Sequence, residues 1–339
     1  MNRFLNYAPF SFVLIAFIIC SCSKGPTNTE NNTWVLVLKD SIDNECEWFD
    51  ATYASNKFVA VGHQGHYGGQ GVAAYSTDGK LWTESGIYTI PNGISYGNNT
   101  FVAVGERPDG ICIANSNDGT VWTTDGVKYS FDGITYTNSL SSTNSLVTLN
   151  DVVWGNNKFV AVGEGKFLSS SDGINWTISQ NDSASFQNLA GVFWANNLFV
   201  VVGGNGTIFT SVDGVDWMKR VSSTDVNLYD VAFGNNEYLA VGDNRILTSN
   251  DGITWGNSIQ AQIPFFGGLS FINNLFIVIG LDANSASYIL TSHDGINWNK
   301  NVPSGLPQLK MHKVIWGNNR YVAVGDRGIY TSTSPITTE

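Results

Sequence analysis

One short block constrains this chain more than any other feature. Phe or Tyr followed by Val-Ala-Val-Gly, or a close variant, recurs seven times. The copies end at Gly62, Gly105, Gly163, Gly203, Gly242, Gly280 and Gly325, spaced 43, 58, 40, 39, 38 and 45 residues apart. A second block, Ser-x-Asp-Gly-x-x-Trp, falls at Ser76–Trp82, Ser116–Trp122, Ser211–Trp217, Ser249–Trp255 and Ser292–Trp298. A version read as one residue tighter runs from Ser171 to Trp176. Repetition at a period near 40 means one supersecondary unit copied along the chain, each copy leaning on its neighbours.

The stretch Asp151–Trp176 reads as that unit. Strands are expected at Val152–Trp154, Phe159–Val162, Phe167–Ser170 and Ile174–Thr177. Asn156-Asn157 and Asp172-Gly173 tolerate the positive φ that two-residue hairpin turns require. Phe159-Val160-Ala161-Val162 is apolar on both faces, as in a strand sandwiched between two sheets. The seventh copy stops at Ile329–Thr333 without its Asp-Gly-x-x-Trp strand, whereas Thr33–Leu38 looks like a fourth strand lacking a third. The prediction is an all-β fold: a seven-bladed β-propeller with four antiparallel strands per blade, its last blade closed by the N-terminal strand.

Composition agrees and narrows the function classes. Apolar residues make up 42% and charged residues 13% of 339, with 36 glycines and 11 tryptophans, which is core-rich and turn-rich. The net charge of −11 and the lack of a basic patch argue against nucleic acid and anionic lipid as partners. At the N-terminus, Arg3 precedes an apolar run, Phe10–Cys20, too short to span a membrane comfortably. Ile19-Cys20-Ser21-Cys22 resembles a bacterial lipobox, with Cys22 as the lipidated residue. The expected layout is a lipoprotein-type signal peptide over 1–21, a flexible tether over 22–32, one propeller over 33–333 and a tail over 334–339. An exported monomer follows, lipid-anchored in the cell envelope at the outer membrane or cell surface, touching the membrane through that lipid only. Cys46 and Cys112 sit in apolar contexts and read as buried free thiols.

The Ser-x-Asp-Gly-x-x-Trp turns resemble the Asp boxes, or BNR repeats, of sialidase-type propellers, one residue shorter than the usual form. The whole unit is similar to photosystem II assembly-factor propellers and related bacterial lipoproteins. The resemblance implies a propeller whose box aspartates are structural. Asp78, Asp118, Asp132, Asp172, Asp213, Asp251 and Asp294 are the candidates, each capping its own hairpin.

Propeller topology sends first-to-second and third-to-fourth turns to one face, where they are short. Second-to-third loops and blade connections reach the other face, which carries the length variation. The long loops belong to blades 6, 7, 1 and 2, contiguous in a closed ring. The expected function is therefore non-catalytic binding of a protein or glycan on that sector. His63, His66, Tyr67, Arg107, Asp109, Asn284 and His312 are the ligand-binding candidates. Three imidazoles near one another suggest zinc, but their spacing is a weak signal, so no metal or cofactor is assigned. Asp50, Asp151 and Asp230 occupy matching positions near the channel mouth, with inter-blade hydrogen bonding as their expected role. Two alternatives compete: an envelope assembly or maintenance factor, and a sialidase-like glycoside hydrolase. A sialidase needs an arginine cluster and a Tyr–Glu pair, and the few arginines here are badly spread for that. In blade 2, Asp118-Gly119, Asp125-Gly126 and Asp132-Gly133 recur every seven residues, which predicts an extra pair of strands extending that blade.

Overall fold

The computed structural model describes residues 34–38, 46–65, 69–107, 110–124, 127–130, 137, 148–179, 188–260, 265–281, 286–302, 304–306, 309–333 and 336. The segments 1–21 and 22–32 with Cys22 lie outside them, as do His66, Tyr67, Asp109, Asp132 and Asn284. Seven small antiparallel sheets form a ring. Blade 3 shows the plan, with strands Leu149–Gly155, Lys158–Gly163, Lys166–Ser170 and Asn175–Ile178 running from the axis outward. Blade 7 is composite: Val35–Leu38 pairs antiparallel with Gly328–Ser332 and completes the sheet. Ile336, within the expected tail, is buried with Trp34 and Tyr330 in the core of that closing blade.

The Val-Ala-Val-Gly strands are buried on both faces because their side chains alternate between two cores. Phe159 and Ala161 pack with Val102 and Val104 of blade 2. Val160 and Val162 pack with Phe199 and Val201 of blade 4. On each innermost strand one aromatic packs against the aromatic of the second strand, as Trp154 does on Phe159 at 4.6 Å and Trp194 on Phe199 at 4.2 Å. In blades 1, 3, 4 and 6 that inner aromatic also lies over a glycine of the preceding blade. A Cβ on Gly97 would meet Trp154 at 2.0 Å, one on Gly155 would meet Trp194 at 2.2 Å, and one on Gly317 would meet Tyr53 at 2.2 Å. The last of these contacts joins blade 7 to blade 1.

The Asn-Asn turns do two things at once. Both residues take positive φ, as at Asn156 (46°) and Asn157 (57°), which matches the twist of the flanking strands. The first amide also bonds to the third-to-fourth turn of the next blade: Asn156 Nδ2 donates to the Val212 carbonyl at 3.0 Å, and Asn318 Nδ2 to the Thr77 carbonyl at 3.0 Å. Each Asp turn is self-contained. Asp172 Oδ1 accepts from the Ile174 and Asn175 N–H groups at 2.8 and 2.7 Å, and Gly173 donates its N–H to Ser170 Oγ at 2.9 Å. Ser170 rather than Ser171 opens this turn, so the block has the same length as the others. The closing tryptophan often stands just ahead of the outer strand rather than within it, as Trp217 precedes Met218–Arg220. The Trp176 and Trp255 indole N–H groups each bond to the turn-glycine carbonyl at 3.0 Å.

Blades 2 and 3 depart from the plan and correct one expectation. Among the described residues blade 2 has three strands, Ile90–Gly97, Thr100–Arg107 and Gly110–Ser116, with a single bridge, Asn115 to Thr123, in place of a fourth. Lys128–Ser130, expected to widen blade 2, instead pairs in parallel with Asn175–Ile178 as a fifth strand of blade 3. Val127 and Tyr129 account for the crossing: they are buried between the two blades with Ile113, Trp176 and Ile178. The segment buckles blade 2 to blade 3.

Gly155→Ala should lower the free energy of unfolding by about 1–3 kcal/mol through overpacking against Trp194. Gly86→Ala, whose added Cβ meets nothing within 4 Å, should change it by less than about 0.5 kcal/mol. Urea denaturation of the two variants checks the contrast.

Candidate functional site

Every innermost strand carries an irregularity at the same level. The register shifts between Trp48 and Asp50, Pro91 and Gly93, Leu149 and Asp151, Leu189 and Gly191, Leu228 and Asp230, Phe266 and Leu269, and Met311 and Lys313. A bulge puts two residues opposite one and re-aims a side chain. Here it brings two consecutive residues to the channel from blades 1, 3, 5, 6 and 7, and one from blades 2 and 4. They line an axial funnel of about 620 Å³ at the long-loop end. The upper ring comprises Phe49, Asn92, Asn150, Ala190, Tyr229, Gly267 and His312. Asp50, Asp151, Asp230, Gly268 and Lys313 line it below.

The lower ring follows a rule. Blades 1, 3 and 5 carry Asp50, Asp151 and Asp230; blades 2, 4 and 6 carry Gly93, Gly191 and Gly268. Each aspartate uses one oxygen on the next N–H of its own strand, at 2.7–2.8 Å. The other oxygen accepts from the following blade: Ile94 at 2.9 Å, Val192 at 2.8 Å and Leu269 at 2.8 Å. The glycines admit the neighbouring strand, since a Cβ on Gly93 would lie 2.9 Å from the Asp151 Cα. An alternating pattern cannot close on seven, and blade 7 breaks it with Lys313. Its ammonium reaches back past blade 6 to Asp230 Oδ2 at 3.0 Å and the Leu269 carbonyl at 3.2 Å.

Enclosure of these charges shapes their titration. Burial lifts Asp50 to about 6, with Lys313 opposing. Burial lifts Asp151 to about 8, helped by the charges of Asp50 and Asp230. Burial pulls the Lys313 ammonium down, but Asp230, Asp50 and Asp151 together outweigh it and hold it above the ordinary lysine range. Both shifts favour the protonated carboxyl, more strongly at Asp151 than at Asp50. In the upper ring, Asn92 Nδ2 donates to the Leu149 carbonyl at 2.9 Å, and Asn150 Nδ2 to the Leu189 carbonyl at 2.7 Å and Asn188 Oδ1 at 2.6 Å. The Tyr229 hydroxyl donates to Asp243 Oδ1 at 2.5 Å; burial and that acceptor push it up to about 12.

Of the two ligand-binding candidates whose side chains are described, His63 and His312, His312 lines the funnel. Burial pulls its imidazole below the usual range against the pull of Asp326, 3.2 Å away. His63 and His312 flank the Phe49 ring, each centroid 5.2 Å from it, so Phe49 separates them. His63 Nε2 instead faces Glu47 Oε2 at 3.7 Å. Among the described residues no three His, Cys, Asp or Glu side chains gather as metal ligands do. Arg107 ends the second strand of blade 2. The axial funnel is thus a second candidate surface beside the loop sector of blades 6, 7, 1 and 2. Sequence reasoning misses Lys313, Asn92, Asn150 and Tyr229, and it gives Asp50, Asp151 and Asp230 a hydrogen-bonding role only. Superposing the seven repeats on Val-Ala-Val-Gly exposes the Asp/Gly alternation.

Stability should respond to pH with a definite sign. Asp50 and Asp151 bind protons more readily folded than unfolded, so their contribution is full below the ordinary aspartate range and is lost as pH rises through 6 and then 8. The turn aspartates act oppositely. Asp78 and Asp251, held low chiefly by backbone N–H donors, withdraw stability as pH falls through the acid range. The melting temperature should peak at about pH 4 and fall between about pH 5 and 8, and Asp151→Asn should flatten that fall. A melting temperature that is level or rising from about pH 5 to 8 would contradict this account.

No protein-family model matches the chain, and no curated protein matches it. Solved structures do. A structure of YCF48 bound to D1 peptide shares 16% identity over 92% of this chain and 98% of that one, with a TM-score of 0.65. A Staphylococcus aureus virginiamycin B lyase shares 9% over 86% and 95%, at 0.66. BamB from Moraxella catarrhalis shares 8% over 88% and 97%, at 0.54. At these identities the likeness is one of fold: the chain is a seven-bladed β-propeller.

Proposed function

We propose that this chain is a non-catalytic binding propeller, held at the cell envelope by a lipid on Cys22, that takes a segment of a protein partner at its long-loop face. The observation that carries the reading is the axial funnel. A rigid scaffold concentrates polar side chains from all around the ring in one concave site, and its 620 Å³ suits a side chain with its flanking backbone better than a folded surface. The YCF48 neighbour, bound to a D1 peptide, supports a peptide-sized ligand. An envelope assembly or maintenance role is compatible with this mode, since such a factor acts by holding a client segment. A sialidase-like hydrolase finds less support. Its arginine cluster and Tyr–Glu pair have no counterpart in the funnel, whose described lining includes neither arginine nor glutamate.

Two experiments test the reading. A photo-crosslinking residue at Tyr229, which is exposed at the funnel rim, should give a discrete protein adduct in cells. The same residue at Leu81, exposed on the opposite face, should not. Equal labelling, or none from Tyr229, would sink the long-loop face as the binding surface. Cys22→Ala should move the chain from the membrane to the soluble fraction; retention in the membrane would remove the anchor.

A further inference from the structure

One wall of the funnel, on blades 1, 2 and 3, offers hydrogen-bond acceptors, which specifies what can enter there. We propose that it takes one cationic side chain, a lysine ammonium or an arginine guanidinium, from an extended segment of the partner. The inference rests on the protein-binding reading above and narrows it.

The Asn92 and Asn150 amides set the polarity of the wall. Their N–H groups are turned into it, onto the Leu149 and Leu189 carbonyls. Their Oδ1 atoms accept no bond among the described residues and are left for a donor in the cavity. The Asp50 and Asp151 carboxylates beside them accept two backbone bonds each, about half of what a carboxylate can take. Asp230 pairs directly with Lys313 at 3.0 Å, whereas Asp50 and Asp151 feel the Lys313 charge without a direct ion pair among the described residues. Blades 1, 2 and 3 thus form one acceptor-lined wall. The positive groups, Lys310 and Lys313, stand together on blade 7. Phe49 on blade 1 and Tyr229 across the mouth supply apolar surface for an alkyl stem, and their ring faces favour a cation. An ammonium has three donors and a guanidinium five, so either matches this acceptor set.

Occupancy has a thermodynamic signature. Burial and its acidic neighbours favour the protonated form of Asp151. A cation beside it reverses that preference, so binding expels the proton, and affinity rises with pH until Asp151 is ionised.

The test is calorimetric titration of the full chain at pH 7.5 in phosphate and in Tris, whose protonation enthalpies differ. The probes are acetyl-Gly-Lys-Gly-amide, its arginine and norleucine analogues, and n-butylammonium chloride. The lysine or arginine peptide should bind at least about tenfold more tightly than the norleucine peptide, as expected for charge-assisted hydrogen bonds. It should also release protons, and weaken at pH 6. Asp151→Asn should remove both the discrimination and the proton release. Should that variant fold poorly, proton release by the unmodified chain still separates a cation beside Asp151 from one bound elsewhere. Equal binding of the lysine and norleucine peptides would overturn the cationic side chain while leaving peptide binding intact. n-Butylammonium binding as tightly as the peptide would keep the cation chemistry and make a small amine, not a protein, the ligand. No binding of any probe at millimolar concentration would overturn the proposal, and the Tyr229 crosslink would then decide the protein-binding reading separately.

Discussion

A strand that must bury both of its faces governs this molecule. The Val-Ala-Val-Gly strand of each blade sends alternate side chains into two different cores, so no sheet here satisfies its own hydrophobic surface. A linear stack would leave two such faces open at its ends. Closing the stack into a ring removes both, and the closure lies between blades 7 and 1. Val35–Leu38 supplies the missing strand of blade 7, the Tyr53 ring covers Gly317, and the Arg327 N–H reaches the Cys46 carbonyl at 2.7 Å. The N-terminal strand therefore stabilises more than the blade it joins. Without it, apolar surface is exposed where the ring begins and ends.

Closure on an odd number has a consequence at the axis. Aspartate and glycine alternate because they answer two needs of adjacent innermost strands: one strand carries a carboxylate across to its neighbour, and the neighbour gives up a side chain to let the next strand approach. Six blades satisfy the alternation and the seventh cannot. Lys313 resolves the mismatch by reaching past the glycine of blade 6 to the aspartate of blade 5. The channel floor then holds three carboxyl groups against one ammonium from that ring, and protonation of Asp151 relieves the excess. A local packing rule, carried around a ring that does not divide by two, leaves a polar and incompletely neutralised cavity at the centre.

What is legible in the sequence is what is encoded locally. Asn156-Asn157 demands positive φ wherever it stands, and Asp172 accepts from the N–H groups two and three residues on, so strands and turns can be placed without knowing their neighbours. The closing strand is legible because a missing and a surplus strand flank the repeat. The funnel is not legible in the same way. Its residues are hundreds of positions apart and share only a level on the axis, and nothing in His312-Lys313-Val314 marks the lysine as the odd member of a ring. The long loops draw attention instead because length is visible in sequence, whereas convergence on an axis is not. Blade 2 misleads for a related reason. Repeated Asp-Gly pairs announce turns but not the sheet that receives the strands between them, and burial of Tyr129 against blade 3 decides that.

The two faces of the ring are under different physical constraints, and this separates scaffold from site. On the short-turn face four of the turns bond to the Asp turn of the next blade, through Asn98, Asn156, Asn235 and Asn318. A change of turn length there breaks a hydrogen bond between blades as well as a hairpin. On the other face the bulges have already taken the first residues of the innermost strands out of regular pairing and turned them toward the channel. Side chains at that level can vary without disturbing the ladder outside them, provided the aspartate or glycine just below is kept. Phenylalanine, asparagine, alanine, tyrosine, glycine and histidine all occupy the upper ring, a diversity that the aromatic level at the opposite end does not show. The bulge is thus the device that lets a repetitive fold carry a non-repetitive site.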